Sequence, residues 1–414
     1  MNGNIFENIV KNINKNNIDV CDINATDIVL VRYGEIALKS KGVRNLYERI
    51  LMKNIEAMLN QEGVNFSNLK RESGRIFIHS NDVRAAIVAS RVFGVISTSP
   101  AITINSNIDD IANASADIGT MHIEKSEPFA IRVKRTGNHN FSSKSVAIKC
   151  GDAVWKKLEL ANKNPSVDLT NPKKEIFIEV RQKYAYIYIK SFKGVGGLPL
   201  GTQGKMVMLI SGGIDSPVAA WFMMRRGVEI IFVHCNTEPY TLECTKSRTI
   251  KCIKALKKWA PGRNFKIYEV PHGNNLIEFI NKCNPKNTCI LCHRTMYRIG
   301  HEIMKKEGAT GVVTGSSMGQ VASQTSSNLY AEMYGLDIPI YHPLICFDKT
   351  EIIHIAEKIG TFEISTDNAA PCTAVPDRPE VNAKHDILLL EEKKIKIDEL
   401  ISESVSNACI TILD

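Results

Sequence analysis

Two short stretches hold residues whose types and spacing could do chemistry. The first, LISGGIDSP at residues 209–217, ends an apolar run in paired glycines, two serines and an aspartate. Gly212 and Gly213 let the backbone approach an anion with no Cβ in the way. Ser211 and Ser216 offer hydroxyl donors, and Asp215 beside a phosphate site makes sense as a partner for Mg²⁺. A bare Gly-Gly turn between strand and helix would be structural. The fuller S-G-G-x-D-S pattern is more specific and marks a loop whose N–H groups converge on phosphate. The second stretch, NTCILC at 287–292, sets Cys289 and Cys292 at C-x-x-C spacing. Structural zinc, disulfide exchange and an iron–sulfur cluster all use that spacing.

Bulk properties bound what these residues serve. A chain of 414 residues, 44% hydrophobic and 23% charged, reads as soluble and globular with two or three domains. Its eleven cysteines are dispersed, so a close pair points to metal binding or catalysis before disulfides. The formal net charge of +8 is a mild bias toward a polyanionic partner, with solvated surface lysine as the plain alternative. No run reaches eighteen apolar residues, and MNGNIFENIVKNINKNNIDV has no apolar signal core. No membrane association and a cytoplasmic location are therefore expected.

The elements that position these residues follow from periodicity. Residues 1–26 read as a leader. A strand over Ile28–Val31 leads through Gly34 to a helix with Leu46, Ile50, Leu51, Ile55, Met58 and Leu59 at helical spacing. The strand GRIFIHS and a helix around Val83–Val92 complete a small α+β unit over 1–85. A second α+β unit, 86–193, holds the strand FAIRVKRTG with Arg132, Lys134 and Arg135, and a helix capped by Ser142 or Ser143. Two further strands follow in KEIFIEVRQKYAYIYIKSF. The Gly/Pro-rich stretch 193–205 reads as a linker. From 194 to 384 strands alternate with helices: MVMLI, EIIFVHC, KIYEV and GVVTG are the strands, and helices run from CILC to Glu307 and over Asp348–Ile359. That grammar predicts a doubly wound parallel α/β sheet with ligands at the strands' carboxyl ends. Residues 385–414 read as a charged tail with a helix. Cys150 and Cys346 are expected in the core, Cys244 and Cys252 on an exposed helix, and Asp348 as a helix cap.

The motif at 209–217 resembles the PP-loop of ATP pyrophosphatases, which adenylate a substrate oxygen and release pyrophosphate. Around it, LVRYGEIALKSKGVRNLYE, VDLTNPKKEIFIEV, VTGSSMGQVASQTSSNL and HPLICFDKTEIIHIAEKIGT resemble the tRNA 4-thiouridine synthetase family (tRNA sulfurtransferase, ThiI type) in order from about residue 28 to 384. The resemblance implies a ferredoxin-like domain over 1–85, a THUMP RNA-binding domain over 86–193 and a PP-loop domain over 194–384. It implies ATP and Mg²⁺ as cofactors and tRNA as partner, with uridine at tRNA position 8 adenylated and thiolated at C4. Carried across, Leu209, Ile210, His234 and Cys235 would flank the adenosine, with Gly315 and Gln324 as further ATP contacts. His293 stands where the family usually has Lys or Arg, and Arg294 could supply that cation. Arg132, Lys134 and Arg135 would meet the RNA backbone, with His139 and Phe141 stacking on a base; a solvated face is the plain alternative.

Cys372 matches the family's loop cysteine, which in bacterial members takes sulfur from an appended rhodanese domain. Here 42 residues follow Cys372, so that relay is not expected. The archaeal-type branch instead joins a C-x-x-C to the loop cysteine and is associated with an iron–sulfur cluster. Cys289, Cys292 and Cys372 are the implied ligands, leaving one iron open for sulfide. Zinc completed by Cys283 or His293 is the alternative, and a redox disulfide the third. Sulfide or a cysteine desulfurase would supply sulfur, and a role in thiamine synthesis is not expected without the rhodanese domain. Bacterial members are often dimers, which implies a homodimer. Two other readings stay open: a tRNA thiolase acting at C2 of a pyrimidine, and a non-catalytic tRNA-binding module.

Overall fold

The computed structural model describes residues 26–72, 74–367 and 371–414, so nearly all of the expected leader lies outside the described residues. The chain divides into two compact units, one ending at Gly196 and the other beginning at Gly197.

The first unit is built on a nine-stranded sheet. Its elements are β1 (Ile28–Tyr33), α1 (Lys41–Gln61), β2 (Asn68–Glu72), β3 (Arg75–His79), α2 (Arg84–Ser90), β4 (Val95–Asn105), α3 (Ile108–His122), β5 (Pro128–Arg135), α4 (Ser143–Leu160), β6 (Ser166–Val167), β7 (Lys174–Val180), β8 (Tyr184–Tyr188) and β9 (Phe192–Lys193). The strand order is β2-β3-β1-β4-β8-β7-β5-β6, with β9 also on β4. β4 serves both halves: its first part pairs antiparallel with β1, and Ile102–Asn105 pair with β8. The boundary expected between residues 85 and 86 is therefore corrected. It falls inside α2, whose Ala85, Ala86, Val88 and Ala89 are buried in the same core as Val29, Val31, Leu51 and Ile55. Ser142 caps α4 in a capping box with Ser145.

The second unit has a six-stranded sheet. Its elements are β10 (Lys205–Leu209), α5 (Asp215–Arg225), β11 (Glu229–Asn236), α6 (Glu243–Lys257), β12 (Phe265–Pro271), α7 (Gly273–Lys282), α8 (Thr288–Glu307), β13 (Val312–Val313), α9 (Ser326–Met333), β14 (Ile340–Tyr341), α10 (Lys349–Ile359), α11 (Phe362–Thr366), α12 (His385–Glu392), α13 (Ile397–Ser406) and β15 (Cys409–Leu413). The order β14-β13-β10-β11-β12-β15 is parallel except for β15. β10 to β12 run one way across the sheet and β13 to β14 the other, so the topology switches beside β10, where such sheets bind ligands. The central strands are near-continuous apolar runs because helices cover both their faces.

Four sequence expectations are corrected here. Residues 385–414 are not a tail: Leu388, Ile395, Ile397 and Ile401 are buried in the core with Phe279, Cys292 and Ile299, and β15 pairs antiparallel with β12. Cys252 lies on the inner face of α6 and is buried, its Sγ 3.5 Å from Ser365 Oγ. Cys346 is exposed, in a turn ahead of α10 instead of in the core. Residues 193–205 are no free linker either: Gly194 and Gly196 bond back to β4, and Leu198 and Leu200 are buried.

Candidate active site

The loop between β10 and α5 wraps around Ser216. Ser216 Oγ accepts from Ser211 N at 2.9 Å and donates to Ser211 O at 3.1 Å, and Gly213 N donates to Ser211 Oγ at 3.3 Å. Ser216 is buried, so in this arrangement it sets the loop's shape. Asp215 begins α5, where its carboxylate also suits the positive end of the helix dipole. Its Oδ1 accepts from Lys349 Nζ at 2.7 Å and its Oδ2 from Gln320 Nε2 at 2.9 Å. Lys349 was read from sequence only as a residue near a helix start. Asp348 does cap that helix, α10, through a capping box with Glu351, and the cap aims Lys349 at Asp215.

The loop opens into a cavity of about 370 Å³ at the carboxyl ends of the strands. Leu209, Ile210, Ser211, Gly213, Asp215 and Ser216 form one side of it. His234 and Cys235, from the end of β11, form another, with Gly315 and Gln324 across from them. At Gly315 a Cβ would lie 2.8 Å from Ser216 Cα and N, so only glycine lets the chain after β13 pack against the loop. Gly212 is not on the wall; its carbonyl accepts from Arg248 Nε at 2.9 Å.

Four cysteines reach this one cavity: Cys235, Cys289, Cys292 and Cys372. Cys289 and Cys292 lie on the first turn of α8. Cys372 lies in a loop anchored by Thr373, whose N–H donates to Tyr240 O at 2.9 Å. Burial pushes the Cys235 thiol up to about 12 and the Cys289 thiol to about 11, the latter with help from Cys372 nearby. Cys292 is pushed well above the ordinary range by burial and then by Cys235, Cys289 and Cys372. Neighbouring thiols that raise one another are a donor set that a soft metal would deprotonate. Among the described residues no three His, Cys, Asp or Glu side chains are already gathered about one centre; the thiols share a wall. Cys283, a candidate fourth zinc ligand, is not on that wall, since its Sγ faces Glu391 O at 3.6 Å.

The expected cation needs correction. Arg294 is buried away from the cavity, with Nε donating to Glu392 at 2.9 Å and Nη1 to the carbonyls of Glu332 and Tyr334. Successive helix residues point about 100° apart, so His293 faces the cavity and Arg294 the core behind it. His293 Nδ1 sits 3.0 Å from Oε1 of the fully buried Glu332, whose Oε2 accepts from Tyr297 OH at 2.9 Å. Burial would lower His293, but Glu332 outweighs it and raises the imidazole above its usual value. Among the described residues no Lys or Arg lines the cavity, so His293 is its available cation. His234 is instead held neutral by burial, with Nδ1 3.2 Å from Ile210 O.

For Mg²⁺, Asp215 is the one carboxylate among the described lining residues. Beside it Gln320 Oε1 is buried without a hydrogen-bond partner. Two hard oxygens suit that ion.

In the first unit, Arg132 Nε is paired with Glu175 at 2.7 Å, while Lys134 is exposed. Arg135 Nη1 donates to Gly137 O at 3.0 Å and faces His139 Nδ1 at 3.3 Å. His139 and Phe141 have ring centroids 5.0 Å apart, and Phe141 packs against the core. The strand thus presents Lys134 and Arg135 more openly than the other three.

Comparison with known proteins is specific. Residues 28–99 match the ThiI ferredoxin-like domain, 105–190 the THUMP domain, and 201–397 the family described as thiamine biosynthesis protein (ThiI). The chain is 58% identical over 383 residues to a Methanosarcina mazei protein named "Probable tRNA sulfurtransferase", covering 92% of this chain and 95% of that one. A protein of the same name from Methanobrevibacter smithii is 44% identical, covering 87% and 93%. The fold matches a crystal structure of a 4-thiouridine synthetase–RNA complex with bound ATP. The TM-score is 0.82 at 29% identity, over 94% of this chain and all of that one. It also matches the PH1313 protein of Pyrococcus horikoshii, with a TM-score of 0.62 at 27% identity, over 81% and 99%. Among the described residues no helix is long and apolar enough to cross a membrane.

Proposed function

The chain belongs to the ThiI family, and from that premise we propose that it is an ATP-dependent tRNA uracil 4-sulfurtransferase acting on uridine at tRNA position 8. The observation that carries this reading is one cavity lined both by the phosphate-binding loop and by Cys289, Cys292 and Cys372. The ATP and RNA bound to the similar 4-thiouridine synthetase support the choice of ligands.

In this reading the loop Ser211–Ser216 and the N-terminus of α5 meet the ATP phosphates with the N–H groups other than those of Ser211 and Gly213, which are spent inside the loop, and Leu209, Ile210, His234 and Cys235 flank the adenosine. Asp215 and Gln320 would hold Mg²⁺, which when bound would neutralise phosphate charge. The uridine O4 attacks the α-phosphorus and pyrophosphate leaves. O4 now carries the adenylyl group and N3 has given up its proton to solvent, so AMP is a good leaving group on C4; hydrosulfide adds at C4, the C4–O bond breaks with release of AMP, and the sulfur's proton passes to N3. His293, whose protonated form Glu332 favours, stands toward the phosphates where a lysine or arginine would otherwise stand.

Cys289, Cys292 and Cys372 would hold an iron–sulfur cluster, which when bound supplies an iron without a protein ligand for sulfide. Inorganic sulfide or a cysteine desulfurase is the sulfur source. In the first unit Lys134 and Arg135 contribute to the tRNA footprint, with Arg132, His139 and Phe141 in supporting places. The domains proposed are ferredoxin-like, THUMP and PP-loop, and the assembly in solution is a homodimer in the cytoplasm.

The test is nucleoside analysis of tRNA incubated anaerobically with the protein, ATP, Mg²⁺ and sulfide. Formation of 4-thiouridine that requires ATP supports the reading. A 2-thiopyrimidine, or no thionucleoside from iron-loaded protein, overturns it.

A further inference from the structure

Behind the cavity wall lies a histidine that the scheme above leaves unused. His272 follows β12 and precedes α7, and its backbone is fixed from two sides. Its N–H donates to Asn236 O at 2.7 Å, and a Cβ on the next residue, Gly273, would collide with the Glu238 carbonyl oxygen. The imidazole is fully buried, with the Phe279 ring edge-on at 6.4 Å. Both ring nitrogens have partners. Nδ1 lies 2.8 Å from Asn275 Nδ2 and Nε2 lies 3.3 Å from Cys292 Sγ. Asn275 Nδ2 is also directed at Ser404 Oγ on α13, at 3.1 Å.

This order of groups fixes the proton. An amide nitrogen only donates, so Nδ1 accepts, and a neutral imidazole accepting at Nδ1 carries its hydrogen on Nε2. We propose that His272 is a positioning residue for Cys292, donating its Nε2–H to the Cys292 sulfur and so holding that sulfur as a metal ligand on the cavity wall.

A histidine kept only for packing would not need this arrangement. Ser404, Asn275 and His272 are three polar groups in series in an otherwise apolar core, each buried. Apolar side chains at all three places would avoid the cost of burying them. The series ends on one atom, the sulfur of a cavity cysteine. Hydrogen bonds to sulfur tune thiolate-bound iron, and partners behind a metal ligand orient it. The inference rests on the reading of Cys292 as a ligand.

The test is anaerobic titration of the metal-free full chain with Co²⁺, following thiolate-to-cobalt absorption. His272→Leu should weaken binding by about 10–100-fold. His272→Gln, whose amide N–H still reaches toward the sulfur, should keep most of the affinity. Asn275→Leu removes the donor to Nδ1, leaves the tautomer unfixed and should weaken binding in the same direction as His272→Leu does. Wild-type affinity in His272→Leu overturns the proposal, as does an equal loss in His272→Leu and His272→Gln, which would mark a packing effect. If His272→Leu does not fold, the contrast between His272→Gln and Asn275→Leu decides alone. Absence of the thiolate band in the wild type overturns the cluster reading itself, and this proposal with it.

Discussion

At the scale of residues, Asp215 is held between Lys349 and Gln320 before any nucleotide is considered. Its orientation is therefore set by α10 and by the loop after β13 as much as by its own loop. Asp215→Asn should lower pyrophosphate release at least about 100-fold, the scale of losing a preorganised charge at a reacting phosphate. Lys349→Met should lower it in the same direction with the fold intact, checked by circular dichroism beside the assay. Arg294 should behave differently. Arg294→Met removes the donor to Glu392 and to two carbonyls and leaves Arg298 at 3.7 Å as that carboxylate's partner, so it should cost about 1–3 kcal/mol of stability in urea unfolding and leave the KM for ATP nearly unchanged. Residues 209–217 were legible in sequence because their chemistry is contiguous. Lys349 was not, because only the fold carries it to Asp215, and Arg294 misled because neighbours on a helix face different ways.

At the scale of elements, the shared strand β4 explains why the first boundary was misread. Periodicity shows where α2 is, but not the strand β4 after it, nor that β1 and β8 both pair with that one strand. The join is sealed by Glu179 on β7, buried and in contact with Arg181 at 2.6 Å, Arg75 at 3.2 Å and Arg32 at 3.5 Å. Burial alone would raise this carboxyl, but Arg181, Arg75 and Arg32 outweigh it and hold it below the usual range. A depressed folded value means this stabilisation is complete above the unfolded pKa of about 4.3. It is lost as the pH falls through the lower folded value. Glu179→Ala should cost about 3–5 kcal/mol at neutral pH. Unfolding curves for the two proteins should converge in acid; a gap that stays constant down to low pH would contradict this assignment.

At the scale of the molecule, the second unit is closed by its last thirty residues. Sequence reading took these for a tail because the charges of HDILLLEEKKIKIDEL mask a helical apolar face. Leu388, Ile395, Ile397 and Ile401 are buried in it, and burial of such side chains contributes roughly 1.5–3 kcal/mol each. Their sum is comparable to a domain's whole stability. Truncation after Lys384 should therefore leave the second unit unfolded, read as rapid proteolysis beyond Gly197, while the first unit survives. The alternating α/β grammar and the cysteines were plain in the sequence. That four cysteines converge on one cavity required the sheet.

In the proposed reaction one cavity first activates the uridine and then delivers sulfur to it. Single-turnover reaction of Cys372→Ala with ATP and tRNA tests it most directly, measuring pyrophosphate and 4-thiouridine together. The account predicts tRNA-dependent pyrophosphate release with no 4-thiouridine formed. Wild-type levels of 4-thiouridine, or loss of pyrophosphate release from the folded variant, would contradict it.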